Sequence, residues 1–199
     1  MPIPIESCEI LSPAGGGEQL LAAVRCGANA VYMGGRRFNA RRNAANFDED
    51  ALRQAVSYCH ARNVKVYIAV NTVATDDEYA DLEAEAELIA ASGADAVIIQ
   101  DMAVLKLFLT RYPTIKRYAS TQTAVHNIDG ALFLQDAGYD SIVLARELTL
   151  SEMKAICSAV SVKTEAFIHG AHCMSVSGAC YLSAMLGGRS GNRGLCAQP

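Results

Sequence analysis

Short runs of consecutive apolar residues alternate along this chain with longer stretches in which apolar positions recur every three or four residues. The short runs are Glu9–Ser12, Ala30–Met33, Lys65–Val70, Ala96–Ile99, Arg117–Ser120, Ser141–Ala145 and Thr164–Ile168. Each has the length of a strand, and their near-continuous apolar character predicts a parallel sheet buried on both faces. Between them the spacing predicts helices over Glu18–Cys26, Asp48–Asn63, Asp76–Ser92, Met102–Tyr112, Ile128–Ala137 and Thr149–Val160. Boundary chemistry agrees with these spans. Asn46 or Asp48 can cap the second helix, Thr149 precedes Glu152 in a capping-box arrangement, and Gly93 and Gly138 stop helices. The phrases beginning at Cys26, Ser92 and Asp136 repeat one unit: a helix end, a glycine, a short linker and a buried strand.

Seven such steps, evenly spaced and without an early GxGxxG phosphate loop, favour a TIM-like (βα) barrel over a doubly wound sheet. A complete barrel needs eight strands and about 250 residues. This chain of 199 residues supplies seven. The expectation is therefore an α/β fold, a single domain over residues 1–199 that forms the N-terminal barrel portion of a longer protein, with the last strand missing. Its strands should be parallel, in sequential order, with a gap where an eighth would close the ring. An open edge exposes backbone donors and acceptors. The C-terminal segment, or a second copy of the chain in a homo-oligomer, is expected to cover it.

Composition narrows the function only a little. The residues are 51% hydrophobic and 19% charged, and the net charge of −4 gives no global drive toward nucleic acid. Binding RNA would need a local basic surface or another domain. The first residues show no basic stretch leading into an apolar core, and no apolar run approaches the length of a membrane span. Seven cysteines, an odd number, without an export signal point to free thiols in a reducing cytoplasm.

Candidate chemistry concentrates in the last 35 residues, where Cys173, Cys180 and Cys196 stand among glycines. Glycine permits close approach of backbone to a bulky ligand, and thiolates are preferred by iron–sulfur clusters and structural zinc. Three soft donors read as a metal or cluster site short of its fourth ligand, although inert packing also accounts for such cysteines. Cys8, Cys26, Cys59 and Cys157 read as packing residues. In a βα barrel, chemistry gathers where strands end. Here those exits hold Ser12, Gly34, Asn71, Gln100-Asp101, Gln122, Arg146-Glu147 and His169. Asn71, Gln122, Arg146, Glu147 and His169 are the candidates for catalysis. Four arginines crowd the loop at residues 36–43, where Arg41 beside Asn39 could clamp an anion with a paired fork of donors. Arg189 and Arg193 bring further positive charge beside the cysteines. His169 and His172 flank Cys173 and could be acid–base groups or ligands; His60 and His126 look ordinary. No nucleophile elbow, HExxH or Ser–His–Asp order stands out, so hydrolysis has little support.

The pattern Glu165-x-Phe167-x-x-Gly170-Ala171-x-Cys173, continuing through Gly178-x-Cys180-x-Leu182-Ser183, resembles the signature of the collagenase-like peptidase family U-32. The resemblance extends to Leu11–Gly15, Gly27–Tyr32, Val70–Thr72, Ser120–Gln122, Arg146-Glu147 and Ser190–Pro199, with His172 departing from the family's usual aliphatic residue. It implies a peptidase by family name. By its better-understood relatives it implies an oxygen-independent hydroxylase of tRNA or rRNA bases, or of the ubiquinone ring, with prephenate as the oxygen source. It further implies a four-iron four-sulfur cluster on Cys173, Cys180 and Cys196, with a fourth ligand beyond residue 199. Expected partners are RNA and a small anionic co-substrate. Without that fourth ligand the cluster is expected to be lost.

Overall fold

The computed structural model describes residues 8–42, 44–170 and 173–197. Seven parallel strands form one curled sheet in strictly sequential order. They are β1 (Leu11–Pro13), β2 (Ala30–Gly34), β3 (Lys65–Val70), β4 (Ala96–Ile99), β5 (Lys116–Ala119), β6 (Ser141–Val143) and β7 (Lys163–Glu165). Helices α1 (Gly17–Arg25), α2 (Glu49–His60), α3 (Tyr79–Ser92), α4 (Met102–Arg111), α5 (Ile128–Asp136) and α6 (Leu150–Ala159) follow the strands in alternation. This is the incomplete TIM-like barrel expected from the chain's periodicity. β1 and β7 do not pair, so the ring stays open between them.

Two apolar layers result from the alternation of side chains along each strand. The larger one lies between sheet and helices, where Ile68, Ile99 and Ile142 meet Leu82, Ile89 and Phe108. The smaller fills the barrel interior with Ala30, Tyr67, Ala96, Ile98 and Tyr118, flanked by Leu11 and Tyr32. The Tyr67 and Tyr118 rings are tilted against each other with centroids 4.8 Å apart. The Tyr67 hydroxyl donates to Glu9, whose other oxygen pairs with Lys65 at 2.5 Å. A polar floor therefore closes the end of the barrel away from the mouth.

Helix starts follow the caps. Asp48 accepts from Ala51 N, Asn127 from Gly130 N, and Thr149 and Glu152 form a reciprocal capping box. Thr149→Ala removes the acceptor for Glu152 N and is expected to cost about 1 kcal/mol. A urea-denaturation midpoint measures it.

The differences from the sequence reading are local. Residues 166–168 leave the sheet instead of extending β7. Among the described residues that strand has no neighbour on its outer side, and its last ladder bond runs from Leu144 N to Glu165 O at 2.9 Å. Phe167 and Ile168 are consequently exposed. The helix expected from Asp76 begins as a 3₁₀ turn over Asp76–Glu78. A short helix inside the cysteine segment, α7 (Leu182–Gly187), ends on the left-handed Gly188; the sequence reading had no element there.

Candidate active site

The C-terminal ends of the strands form a mouth, and residues 173–197 cross it. Four anchors hold this segment. Ser177 N donates to a carboxylate oxygen of Glu147, after β6. Gly178, at φ +75°, lies so close to Gln122, after β5, that a Cβ there would stand 2.2 Å from the Gln122 carbonyl oxygen. Arg193 grips both oxygens of Glu78 at 2.5 and 2.8 Å and donates to Val73 O, after β3. Gly194, at φ +80°, meets the loop after β2, where a Cβ would stand 2.4 Å from Asn39 O. The expected cover for the open edge is thus a cover for the mouth. Close glycine contacts with the strand-exit loops direct the segment there.

Two cavities open beside the segment. The first, about 240 Å³, is bounded by Tyr32, Asn39, Arg41, Asn71, Arg146 and Phe167, among others. It brings together four of the residues singled out from sequence. Asn39 is buried, donating to Gly35 O and accepting from Arg41 N at 2.8 Å, while Asn71 accepts from Ala40 N at 2.9 Å. These two asparagines hold the arginine-rich loop in shape. Arg41 lies over the Tyr32 ring, 4.7 Å from its centroid, and donates to its hydroxyl. Arg146 lies over Phe167 at 5.5 Å. Two guanidinium groups therefore flank a small pocket with aromatic walls, an arrangement suited to an anion with an unsaturated body.

The second cavity, about 590 Å³, lies between the exits of β4 and β5 and the start of α5. Gln100, Asp101, Gln122, His126 and Asn127 contribute its polar groups. His126 contacts Ala124 O through Nδ1 at 2.7 Å and Glu147 through Nε2 at 3.4 Å. A ring nitrogen facing a carbonyl oxygen carries its proton. Burial pushes the Glu147 carboxyl up, but hydrogen bonds from its own N–H and that of Ser177 outweigh this and hold it below the ordinary range. His126 looked ordinary in the sequence. The available signal was its position four residues after Gln122 on a strand-exit loop.

Glu165 is the other residue the sequence reading passed over as a site. It faces the barrel interior two residues before Phe167. Desolvation, with the Glu9 charge adding to it, raises its carboxyl to about 7. A charged residue alternating with an aromatic one on an inward face was the signal for it.

The remaining candidates fall outside the two cavities. His169 is exposed beyond β7, and Arg189 is exposed after α7. Arg193 is committed to Glu78, whose carboxyl its guanidinium pulls down to about 2. His172 lies outside the described residues, as do Asn43 and residues 198–199. Cys173 and Cys196 are exposed and Cys180 half-buried. The Ser175 hydroxyl and Leu182 N–H lower the Cys180 thiol pKa, which favours a ligand-competent thiolate. The donor chemistry fits a soft metal centre. The arrangement is not an assembled one, because among the described residues no three His, Cys, Asp or Glu side chains gather closely enough to hold a metal ion.

Fold and site together define an open βα barrel whose mouth is spanned by a glycine- and cysteine-rich strap with a cavity at either end. The chain belongs to peptidase family U32, whose sequence profile matches residues 15–199. It is 40% identical over 198 residues to the 23S rRNA 5-hydroxycytidine C2501 synthase of Escherichia coli (strain K12), covering 100% of this chain and 30% of that protein. It is 33% identical to the tRNA hydroxylation protein P1 of Bacillus subtilis (strain 168), covering 96% of this chain and 45% of that protein. It is 34% identical to the collagenase of Porphyromonas gingivalis (strain ATCC BAA-308 / W83), covering 98% and 49%. The chain thus spans less than half the length of these relatives. The solved structure of a U32 peptidase superimposes with a TM-score of 0.68 at 18% identity, covering 83% of this chain and 72% of that one, which supports the fold. Among the described residues, no helix is long and apolar enough to cross a membrane.

Proposed function

We propose that this barrel is the part of an RNA-base hydroxylase that carries the two cavities and the strap between them. The observation that carries the reading is the placement of an arginine-flanked pocket and an arginine-free pocket at opposite ends of the cysteine segment. Gly194 docks beside the first, at Asn39, and Gly178 beside the second, at Gln122. The first suits a small anionic co-substrate with an unsaturated body, for which prephenate is the candidate oxygen source. The second suits an uncharged target. Relatives named as an rRNA 5-hydroxycytidine synthase and as tRNA hydroxylation proteins support the RNA assignment. Cys173, Cys180 and Cys196 would hold a four-iron four-sulfur cluster with one further donor, and that group would supply electron-transfer chemistry. The chain's own residues do the rest. Asn39 and Asn71 set the Arg41 loop, Arg41 and Arg146 bind and orient the anion, and Glu165, its carboxyl raised to about 7, is placed beneath Tyr32 to take up or release a proton near neutral pH.

Among the described residues the peptidase reading finds no serine-protease arrangement. Hydrolysis by a serine requires a histidine between nucleophile and acid. Here Glu147 stands between Ser177 and His126. Among the described residues no serine hydrogen-bonds to a histidine. Cells lacking the intact gene are expected to lose one hydroxylated base, read by mass spectrometry of digested tRNA and rRNA, while the purified protein leaves gelatin uncut. An unchanged RNA profile, or gelatin cleavage abolished by a single substitution in this barrel, would reverse the choice.

A further inference from the structure

Within the RNA-hydroxylase reading, the outer face of the strap has a charge pattern that the rest of the protein lacks. The chain as a whole is acidic, with 21 acidic and 17 basic residues. Residues 34–47 and 166–199 contain none of those acids and six of the arginines. These stretches are the arginine-rich loop after β2 and the segment that crosses the mouth, and the fold seats one on the other. A Cβ on Gly194 would stand 2.4 Å from Asn39 O and 3.1 Å from the Arg42 Cβ. Arg189 belongs to the same knot of chain. Its N–H donates to Ser183 O at 3.2 Å, and Leu195 N closes back on Ser190 O at 2.9 Å.

Most arginines of this face are already engaged. Arg36 pairs with Asp48, Arg37 with Asp81 and Arg193 with Glu78, while Arg41 turns to Tyr32 and the pocket. Arg42 and Arg189 are exposed, and among the described residues neither has an acidic partner. An exposed guanidinium without a counter-charge presents its fork of donors to a phosphate. The acidic remainder of the chain repels a polyanion elsewhere, so the field of the whole protein steers it here. Beside these arginines the strap exposes large apolar side chains: Tyr181 is 65% exposed, Met185 82% and Leu186 71%. Apolar groups gathered in this way mark an interaction site. A purely apolar partner would bury two guanidinium groups without a counter-charge, at a desolvation cost. Single-stranded RNA answers both features, because its phosphates pair with arginine and its unstacked bases lie on aromatic side chains.

We infer that this face is the docking surface for the single-stranded RNA that flanks the modified base, with Arg42 and Arg189 holding phosphates and Tyr181 carrying a stacked base. The contacts are made to backbone and to ring face, so they are indifferent to sequence. None of the three residues lines either cavity. The RNA therefore lies across the outside of the strap that carries Cys173, Cys180 and Cys196.

The test uses the intact protein and a short fluorescent oligouridine, followed by anisotropy over a range of salt concentrations. Arg42→Gln and Arg189→Gln should each weaken binding and reduce the slope of log affinity against log salt by about 0.7, the value for one phosphate contact on a single strand. Tyr181→Ala should weaken binding about tenfold through lost stacking and leave the slope unchanged. Arg25→Gln, in the last turn of α1 at the other end of the barrel, should alter neither quantity. All four positions are exposed, and circular dichroism checks that each variant folds. No binding of oligouridine, slopes unchanged in both arginine variants, or an equal loss in Arg25→Gln overturns the assignment. So does a lower thermal midpoint for Tyr181→Ala with RNA affinity intact, which marks the face as covered by protein. Each of these outcomes leaves the hydroxylase reading standing if deletion cells still lose a base. That reading fails separately, in a protein that shows the expected losses of binding while its deletion alters no RNA base.

Discussion

Gly178→Ala and Gly194→Ala are each expected to release the strap from the barrel mouth. Both glycines have left-handed φ values, and a Cβ would stand 2.2 Å from Gln122 O in one case and 2.4 Å from Asn39 O in the other. A left-handed alanine costs on the order of 1 kcal/mol, and forced close contact costs about 1–3 kcal/mol more. The obstacle in each case is backbone, which no side-chain rotation relieves. Against this stand the Ser177–Glu147 hydrogen bond and the partly exposed Arg193–Glu78 pair, contacts that contribute about 1–3 kcal/mol each at most. The clash therefore wins locally. Hydrogen exchange in residues 173–197 should accelerate by about tenfold or more, with the β2–β5 amides unchanged. Unaltered protection in both variants would show that the contacts with Gln122 and Asn39 do not hold the strap.

The second large effect concerns Glu165. Its carboxyl is raised from an ordinary value of 4.5 to about 7 by burial, with the Glu9 charge adding to it. Below the lower value the group is neutral whether the chain is folded or unfolded. Between the two values the unfolded chain ionises while the folded protein keeps its proton, so stability falls as pH rises, and the loss is complete above about 7. The shift corresponds to as much as about 3 kcal/mol. Glu165→Gln keeps the shape and removes the titration. Urea midpoints should then decline less as pH rises from the ordinary value of 4.5 to the shifted value of about 7, and the variant should be the more stable protein above about pH 8. Parallel pH profiles for the two proteins would show that Glu165 is not held neutral in the fold.

The barrel was legible because its signals are local. Lys65–Val70 and Ala96–Ile99 were read to the residue, since each is an apolar run bounded by polar or glycine positions. β7 was misjudged at its end because its length depends on a neighbour, and no local pattern announces that none is present. The arginine-rich loop could be marked as a candidate anion clamp from composition. That Asn39 and Asn71 shape the loop while Arg41 faces the pocket depends on contacts up to 31 residues apart, which periodicity does not encode. Glu165 and His126 were passed over for related reasons. One became notable through desolvation by the whole barrel, the other through a partner on the next strand's loop.

The strictly sequential sheet also sets an order of events in folding. Every strand pairs only with its neighbours in the chain, the widest step being that from Ala30 to Lys65. Each βα unit can dock on the one before it as the chain emerges from the ribosome, with modest loop-closure entropy at every step. The strap is the exception. Arg193 must find Glu78, 115 residues earlier, and Gly194 must find Asn39. The mouth is therefore closed last, over a scaffold already formed, and a cofactor or ligand has access to the strand ends until that final step.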